Sequence, residues 1–315
     1  MLHSGFVAAP AQLPPDALAC ISYGATGAGD DDPRRVTIAL TPLAGAAPHE
    51  LWRGEGPVET GRTAGFRYAR NAAVLFGQLS FGAGDADFAG AVQEAYTRLV
   101  AFCAAQGYPH LLRCWNYFGD IHAGAGDAER YRQFCVGRHR ALATTQGFEQ
   151  RLPAATVIGS REEMARVYFF AAREAGLQVE NPRQVPAFKY PRSYAPLPPS
   201  FSRALLKRWN GPCGTEQLFV SGTASVVGHE SHHPDNTAAQ LKETLANLRA
   251  LLKAAGAETP WRPQGLKAYL RHAGDLEVVR AALERELGRE TPLLCLQGDI
   301  CRTDLSVEIE AVYQR

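Results

Sequence analysis

The sequence predicts an α+β protein of two similar domains, residues 1–150 and 151–315, each a mixed sheet with helices packed on one face. Its 315 residues suit either two domains or one large one. The order of elements favours two domains, because each half follows the plan strand, loop, amphipathic helix, strand, helix. In both halves a glycine is positioned to end the long helix, at Gly107 and at Gly256.

The first half starts with residues 1–16, whose prolines and lack of periodicity indicate an unstructured lead-in or a sheet edge. Apolar residues at spacings of three or four predict a long helix that begins near Asp85 or Asp87. Asp127 is positioned to cap a second helix that extends to about Thr145. Strands are predicted at residues 17–22, 35–40, 72–81 and 111–118, and a turn at 24–32.

The second half repeats this plan. Pro234-Asp235 is expected to open one helix, and Asp275 is expected to cap another that ends near Leu287. The segment Gln178–Ser200 contains six prolines and is too long for a routine loop, so we expect it to cross a surface or cover a pocket. Strands are predicted at residues 218–227 and 266–271, ahead of two terminal strands.

The terminal strands carry the most informative polar residues. Residues 293–296 form a continuous apolar run, which is typical of a strand covered on both faces. From Leu305 onwards apolar and polar residues alternate, which places Glu308 and Glu310 on one face. An acid on an ordered strand, close to Cys301 and Arg302, indicates a functional site. The alternative interpretation is a solvated sheet edge with its usual charges.

Composition argues against several classes of function. The net charge is +1, so no overall field attracts nucleic acid or a membrane surface. The seven cysteines are scattered and include no CxxC pair, which favours reduced thiols in the cytosol over disulfides or a zinc site. No apolar run is long enough to cross a bilayer. We therefore expect a soluble cytoplasmic protein without a metal.

One segment matches the letters of a zinc-protease signature. His229-Glu230-Ser231-His232-His233 satisfies HExxH, but that chemistry needs both histidines one turn apart inside a helix. Gly228 precedes the segment and Pro234-Asp235 follows it, so we interpret it as a polar loop beside a ligand that ends at a helix N-cap. The sequence contains no Walker loop, Rossmann glycine pattern or nucleophile elbow.

Arginines are the candidate anion-binding residues. Four of them lie between residues 130 and 140, and their helical spacing prevents all four from sharing one direction. A guanidinium is the natural bidentate partner of a carboxylate, so carboxylate binding and a solvated helix face both remain open for this group. Arg192 and Arg203 lie near aromatic residues farther along the chain, in a region where functional loops are expected.

A glycine within a predicted strand is a further candidate. Gly222 stands among the small residues 221–225, and glycine weakens a strand unless another group must approach its backbone. Tight packing against the following helix is the alternative explanation.

Several motifs occur together between residues 110 and 312. They are Cys114-Trp115-Asn116-Tyr117, residues 129–134 with Val136-Gly137-Arg138, Tyr190-Pro191-Arg192, residues 199–203, residues 221–225 with Gly228-His229-Glu230, and residues 301–310 with Cys301-Arg302-x-Asp304-Leu305 and Val307-Glu308-Ile309-Glu310. In this combination the chain resembles the chorismatase family, enzymes that remove pyruvate from chorismate.

The second half also resembles the smaller RidA/YjgF proteins, in its Gln240-x-x-x-Thr244-x-x-Asn247-Leu248 helix and its closing Val-Glu-Ile-Glu-Ala. The resemblance implies two RidA/YjgF-like (chorismate-mutase-like) domains, in a monomer or a homotrimer. RidA-type imine deaminases carry an arginine where this chain has residues 291–295, so imine hydrolysis is the weaker alternative. A small-molecule-binding protein on the same two domains is the non-enzymatic alternative.

The family resemblance implies chorismate as the substrate and no cofactor. It assigns to Glu308 the protonation of the enol-ether methylene carbon, although Glu308 and Glu310 share one face and spacing alone does not separate them. Cys301 is expected to assist ring chemistry as a second catalytic residue. The substrate-binding residues implied are Tyr117, Arg132, Arg138, Tyr190, Arg192, Arg203 and Gly222.

The expected product follows from two of these positions. Family members that form hydroxybenzoates resemble this chain in having cysteine at Cys301 and glycine at Gly222, whereas the hydrolytic branch tends to have alanine at the latter. We therefore expect 3-hydroxybenzoate as the main product. The alternatives are 4-hydroxybenzoate and a dihydroxycyclohexadiene carboxylate.

Overall fold

The protein is described by a computed structural model, which covers residues 2–8, 10, 12–24, 31–44, 49–82, 87–210, 214–256 and 260–315. The helices are α1 (Phe88–Ala105), α2 (Arg130–Leu142), α3 (Thr237–Ala254) and α4 (Leu276–Leu287). The strands are β1 (Leu2–Val7), β2 (Ala17–Tyr23), β3 (Arg35–Ile38), β4 (Thr41–Ala44), β5 (His49–Gly54), β6 (Glu59–Thr63), β7 (Phe66–Arg70), β8 (Val74–Phe81), β9 (His110–Phe118), β10 (Ala154–Gly159), β11 (Ala165–Ala172), β12 (Leu177–Val179), β13 (Ala204–Arg208), β14 (Glu216–Ala224), β15 (Val226–Val227), β16 (Glu230–Ser231), β17 (Arg262–Leu270), β18 (Leu293–Gln297), β19 (Asp299–Ile300) and β20 (Val307–Gln314).

Two mixed sheets of seven strands form the body of the molecule. The first has the order β19-β10-β9-β11-β8-β7-β6, and the second has the order β12-β13-β14-β20-β17-β18-β4. Each contains one parallel pair next to antiparallel strands, β9 with β10 and β17 with β18. The run β10-β9-β11-β8 in the first sheet corresponds to β18-β17-β20-β14 in the second, so the predicted internal repeat is present.

The helices cover one face of each seven-stranded sheet. Apolar side chains of α1 and α2 share a core with one face of the first sheet, and those of α3 and α4 do so with the second. This confirms the predicted α+β class. The helix-free faces of the two sheets meet each other and a smaller sheet of order β1-β5-β2-β3, in a core that all three sheets share.

The alternation of β20 reflects this layered packing. Val307, Ile309 and Ala311 belong to the core under α3 and α4, whereas Glu308 and Glu310 point the other way. Both acids are buried because that other side of the strand faces the first sheet and not solvent. The interpretation of this strand as a solvated edge is wrong, since β20 is hydrogen-bonded on both sides, to β14 and to β17.

The structure settles two predicted alternatives and corrects one helix start. Of the two interpretations of residues 1–16, the sheet edge is right for Leu2–Val7, which pairs with β5. Helix α2 begins at Arg130 and not near Asp127, whose carboxylate binds an arginine side chain. Asp87 caps α1 by accepting a hydrogen bond from Gly90 N at 2.8 Å. The alternative start at Asp85 and most of the predicted turn lie outside the described residues.

The division of the chain near residue 150 stays a prediction. Sheet membership changes somewhat later, because β10 and β11 belong to the first seven-stranded sheet and β12 belongs to the second. The short strand β4 crosses in the other direction and pairs with β18. None of the helices in the described ranges is both long and apolar enough to cross a membrane.

We expect Trp52→Ala to lower the free energy of unfolding by about 3–5 kcal/mol. Trp52 is fully buried where the three sheets meet, with its ring 5.9 Å from Trp115, 4.8 Å from Phe170 and 6.3 Å from Phe219. Urea denaturation of both proteins measures the difference. Trp261→Ala, at a half-buried tryptophan, is the matched control and should lower the free energy of unfolding by less. A smaller loss at Trp52 than at Trp261 would contradict this packing.

Candidate active site

Glu308 lies at the middle of the second sheet, opposite an irregularity in the neighbouring strand. The pairing of β14 with β20 shifts register between Val220 and Thr223, which places Gly222 in a bulge. A Cβ atom at position 222 would lie 1.9 Å from Glu308 Oε1. Gly222 N donates a hydrogen bond to Thr156 Oγ1 at 3.1 Å, which holds the bulge against the first sheet. The group that approaches this glycine is therefore the Glu308 carboxyl.

The environment of Glu308 keeps its carboxyl group protonated. The side chain is buried, and within the described part of the chain nothing donates a hydrogen bond to it. Burial and then the charge of Glu310 raise the pKa of Glu308 to about 8, although Arg113 and Arg203 act in the opposite direction. Glu308 is therefore a neutral acid at pH 7 that can give its proton to a bound molecule.

Glu310, on the same face of β20, is held as a carboxylate. Arg113 Nη2 donates to Glu310 Oε2 at 2.8 Å, Trp115 Nε1 donates to Oε1 at 2.7 Å, and Lys267 Nζ lies 2.7 Å from Oε1. Burial alone would raise the pKa of Glu310, but Lys267 and Arg113 outweigh burial and leave this pKa below its usual range. Glu308 and Glu310 therefore differ in protonation state, although the alternation of the strand places them on the same face.

Lys267 extends this cluster to the four-stranded sheet. Its Nζ lies 2.8 Å from Glu50 Oε2 and donates to Tyr23 OH at 3.1 Å. The structure places Tyr117, a predicted substrate-binding residue, beside this cluster, with its hydroxyl 3.1 Å from Tyr269 OH. Tyr117 is fully buried, so here it is a neighbour of the charged cluster and does not line the open cleft described below.

Cys301 stands between β19 and β20, half-buried, with the hydroxyls of Tyr131 and Tyr194 against its thiol. Burial and then the nearby Glu308 raise the pKa of Cys301 to about 11. The thiol is therefore protonated at neutral pH. It can donate a hydrogen bond or a proton to a ligand, and it is not poised as a thiolate nucleophile.

Arg203 is positioned by the proline-rich segment that was predicted to cover a pocket. Its guanidinium lies 5.4 Å from the ring of Tyr190 and 5.3 Å from that of Phe201, and its Nη2 donates to Tyr190 OH at 2.6 Å and to Val185 O at 2.9 Å. The Nε atom is buried and has no partner among the described residues. Arg203 also lowers the pKa of Glu308, so this cation lies near the acid. Its Nε is available to bind a ligand.

An open cleft of about 400 Å³ leads from the surface to Cys301. Arg302 lies on its wall, with the guanidinium 4.4 Å from the ring of Tyr194 and Nη1 donating to Ser231 Oγ at 3.1 Å. Arg132, a predicted substrate-binding residue, also lines the cleft and donates to Glu129 Oε2 at 3.1 Å. The cleft therefore combines cations, aromatic rings and a thiol.

Two other predicted arginines do not line the cleft. Arg138 is fully buried beside α1, with its guanidinium 5.0 Å from the ring of Tyr96. The Cys114 thiol is hydrogen-bonded to this guanidinium, but Nε and Nη2 have no hydrogen-bond partner among the described residues, and buried donors without partners are costly. Arg192 is mostly exposed and binds Asp127 at 2.6 Å, so it lies at the surface in this structure.

The segment with the HExxH letters is not a helix. Val226–Val227 and Glu230–Ser231 form a small antiparallel hairpin, as the loop interpretation anticipated. His229 and Glu230 line the cleft beside Cys301. Among the described residues, no group of three His, Cys, Asp or Glu side chains is arranged to hold a metal ion.

The sequence interpretation missed several residues of the site. Arg113 directly precedes the Cys114-Trp115-Asn116-Tyr117 motif and could have been noticed as a charge within an apolar strand. Lys267 gave a similar signal in β17. Tyr131 and Tyr194 offered no signal of their own, because only the fold brings them to Cys301.

Two helix-backed sheets enclose a neutral acid beside cations with unused donors. Together they define an α+β protein whose candidate site combines a proton donor with anion-binding groups.

Known proteins make the assignment specific. The sequence profile of "Chorismatase FkbO/Hyg5-like, N-terminal" matches residues 50–171. A chorismatase of Streptomyces rapamycinicus is 38% identical over 84% of this chain and 81% of its own, and a 3-hydroxybenzoate synthase of Streptomyces hygroscopicus is 34% identical over 84% and 80%. A chorismatase crystal structure superposes with a TM-score of 0.87 at 31% identity, covering 99% of this chain and 97% of that one. The chain belongs to the chorismatase family.

We expect the stability of Glu308→Gln relative to the natural protein to rise between pH 4.5 and 8. Since the pKa of Glu308 is raised from 4.5 to about 8 by folding, the unfolded chain loses this proton first and the folded protein is destabilised as pH increases. The free energy of unfolding of the natural protein falls by at most about 1.4 kcal/mol per pH unit for this reason, and the variant does not show this loss. Denaturant unfolding across this pH range measures it.

Glu310→Gln is the control, and its stability relative to the natural protein should depend on pH in the opposite direction. The pKa of Glu310 is lowered by folding, so its contribution is present above pH 4.5 and is lost as the pH falls. This variant should be most destabilised at neutral pH, where it removes one of the two carboxylates that pair with Lys267. Parallel pH profiles for the two variants would refute the distinction between the two acids.

Proposed function

We propose that the protein is a chorismatase that releases pyruvate from chorismate and forms 3-hydroxybenzoate as the main product. The observation that carries this proposal is a buried, protonated Glu308 beside Arg203, whose Nε is unused. Chorismate has a ring carboxylate, a ring hydroxyl and an enolpyruvyl ether with a second carboxylate. Its cleavage therefore needs an acid and two anion-binding groups.

Glu308 is proposed as the general acid. Proton transfer from its carboxyl to the enol-ether methylene carbon creates an oxocarbenium-like centre, which the resulting carboxylate stabilises. A carboxyl with a pKa near its working pH is both protonated and able to release the proton. Glu310 does not suit this role, because Lys267 and Arg113 hold it as an anion.

Arg203 and Arg138 are proposed to hold the two carboxylates. Both have buried nitrogen donors without partners, and a guanidinium pairs with a carboxylate through two parallel hydrogen bonds. Tyr190 orients Arg203 through its hydroxyl. Arg132 and Arg192 are proposed to act farther out, at the cleft and at the surface next to it, where charge favours the arrival of an anion.

Cys301 is proposed to steer the outcome after protonation. The neighbouring ring hydroxyl displaces pyruvate to give an arene-oxide-like intermediate, and a neutral thiol at the ring assists its opening to 3-hydroxybenzoate. Gly222 supports this route by leaving room for Glu308 in its present position. The atoms of chorismate equal those of 3-hydroxybenzoate plus pyruvate, so the proposed route consumes no water and requires no redox cofactor. The name of the 3-hydroxybenzoate synthase relative supports this choice of product.

Glu308→Gln should reduce pyruvate release from chorismate by about 10²–10⁴-fold while the protein stays folded. The amide has no acidic proton to transfer but keeps the size of the side chain. A lactate-dehydrogenase-coupled assay measures pyruvate, and circular dichroism checks folding. Glu94→Gln, on the exposed surface of α1, is the matched control. Near-normal turnover by Glu308→Gln would remove Glu308 as the acid.

Cys301→Ala should shift the product from 3-hydroxybenzoate towards the dihydroxycyclohexadiene carboxylate. Without the thiol, water competes for the protonated intermediate. Chromatography of the reaction mixture gives the product ratio, and Cys295→Ala, at a buried thiol on β18, is the matched control. An unchanged ratio in Cys301→Ala would contradict the role of the thiol.

A further inference from the structure

A second cavity lies away from Glu308, where α1 and α2 end. It measures about 260 Å³ and shares no lining residue with the cleft at Cys301. This volume is just below the range of about 300–1,000 Å³ that is typical of small-molecule sites, so it suits a single ring. The apolar side chains that line it include Val100, Cys103, Leu111, Leu142, Phe148 and Leu152.

The polar groups of this cavity are positive or neutral. Arg151 and His110 line it, together with Thr145 and Gln150, and none of the described lining residues is acidic. The Arg151 side chain has no hydrogen bond or ion pair to any described residue. Burial, with the positive charges of Arg151 and Lys207, lowers the pKa of His110, so its imidazole is neutral at pH 7. One exposed guanidinium, without an ion-pair partner among the described residues, thus lies beside an apolar chamber.

We propose that this cavity binds a small aromatic monocarboxylate, with its ring among the apolar side chains and its carboxylate on Arg151. An apolar chamber accepts a ring, while the single free cation selects one negative charge. Thr145 and Gln150 add hydrogen-bonding groups to the lining. A dianion such as the proposed substrate fits poorly, because its second carboxylate would be buried without a partner.

The cavity is connected to the candidate active site by a single strand. Pro153 lines the cavity and immediately precedes β10, and Thr156 of β10 accepts the hydrogen bond from Gly222 N. Pro153 O also accepts a hydrogen bond from Ser202 N at 3.0 Å, next to Arg203. A ligand in the cavity therefore contacts the elements that position both Arg203 and the bulge at Gly222.

The test uses benzoate as the probe and calorimetry on the full-length protein, so it needs no turnover. Arg151 is exposed, so Arg151→Gln should weaken benzoate binding by about 2- to 5-fold, which is the loss expected for an exposed charge pair. Thr145→Trp, which fills the cavity, should abolish this binding without lowering the melting temperature. Arg140→Gln, at an exposed arginine of α2, is the matched control and should leave it unchanged.

Arg203→Met separates this cavity from the candidate active site, because it removes a proposed carboxylate-binding group beside Glu308. Benzoate binding should persist in Arg203→Met. Absence of binding to the natural protein would overturn the proposal. So would binding that is lost in Arg203→Met and retained in Arg151→Gln, since benzoate would then occupy the candidate active site. Neither result depends on whether the protein cleaves chorismate.

Discussion

Two carboxyl groups on one buried face of one strand cannot both be ionised at low cost, and the structure of the site follows from this constraint. Glu310 pairs with two cations, Lys267 and Arg113, at hydrogen-bonding distance. Glu308 is left without a hydrogen-bonding partner in the described part of the chain, beside that fixed negative charge. Desolvation and like-charge repulsion then act together, and Glu308 keeps its proton. Burial and the charge of Glu310 together thus keep this acid protonated.

The same cluster ties the three sheets to the site. Arg113 comes from the first seven-stranded sheet, Lys267 and the acids from the second, and Glu50 from the four-stranded sheet. Removing one member of a buried ion pair typically costs about 3–5 kcal/mol, because its partner stays buried and charged. The packing of the helix-free faces and the protonation of Glu308 are therefore parts of one arrangement. Gly222 completes it by allowing the carboxyl to lie against the backbone.

The sequence was most informative where local pattern decides structure. Helical spacing located α1 and α3, and alternation placed Glu308 and Glu310 on one face, because both signals depend on near neighbours. The strand Glu59–Thr63 was missed because it is polar and mostly exposed, so it has no alternation to read. The ionisation of Glu310 could not be foreseen, since Lys267 and Glu50 meet across 217 positions of sequence. The spare donors of Arg138 and Arg203 likewise appear only in three dimensions.

The central claim is that Glu308 is a neutral acid at physiological pH, and infrared difference spectroscopy tests it most directly. The spectrum of the natural protein minus that of Glu308→Gln isolates the carboxyl band of this side chain at each pH. The account predicts a protonated-carboxyl band at pH 7 that disappears with a midpoint near the pKa of about 8. A carboxylate band at pH 7, with a midpoint near the ordinary glutamate value of about 4.3, would contradict it.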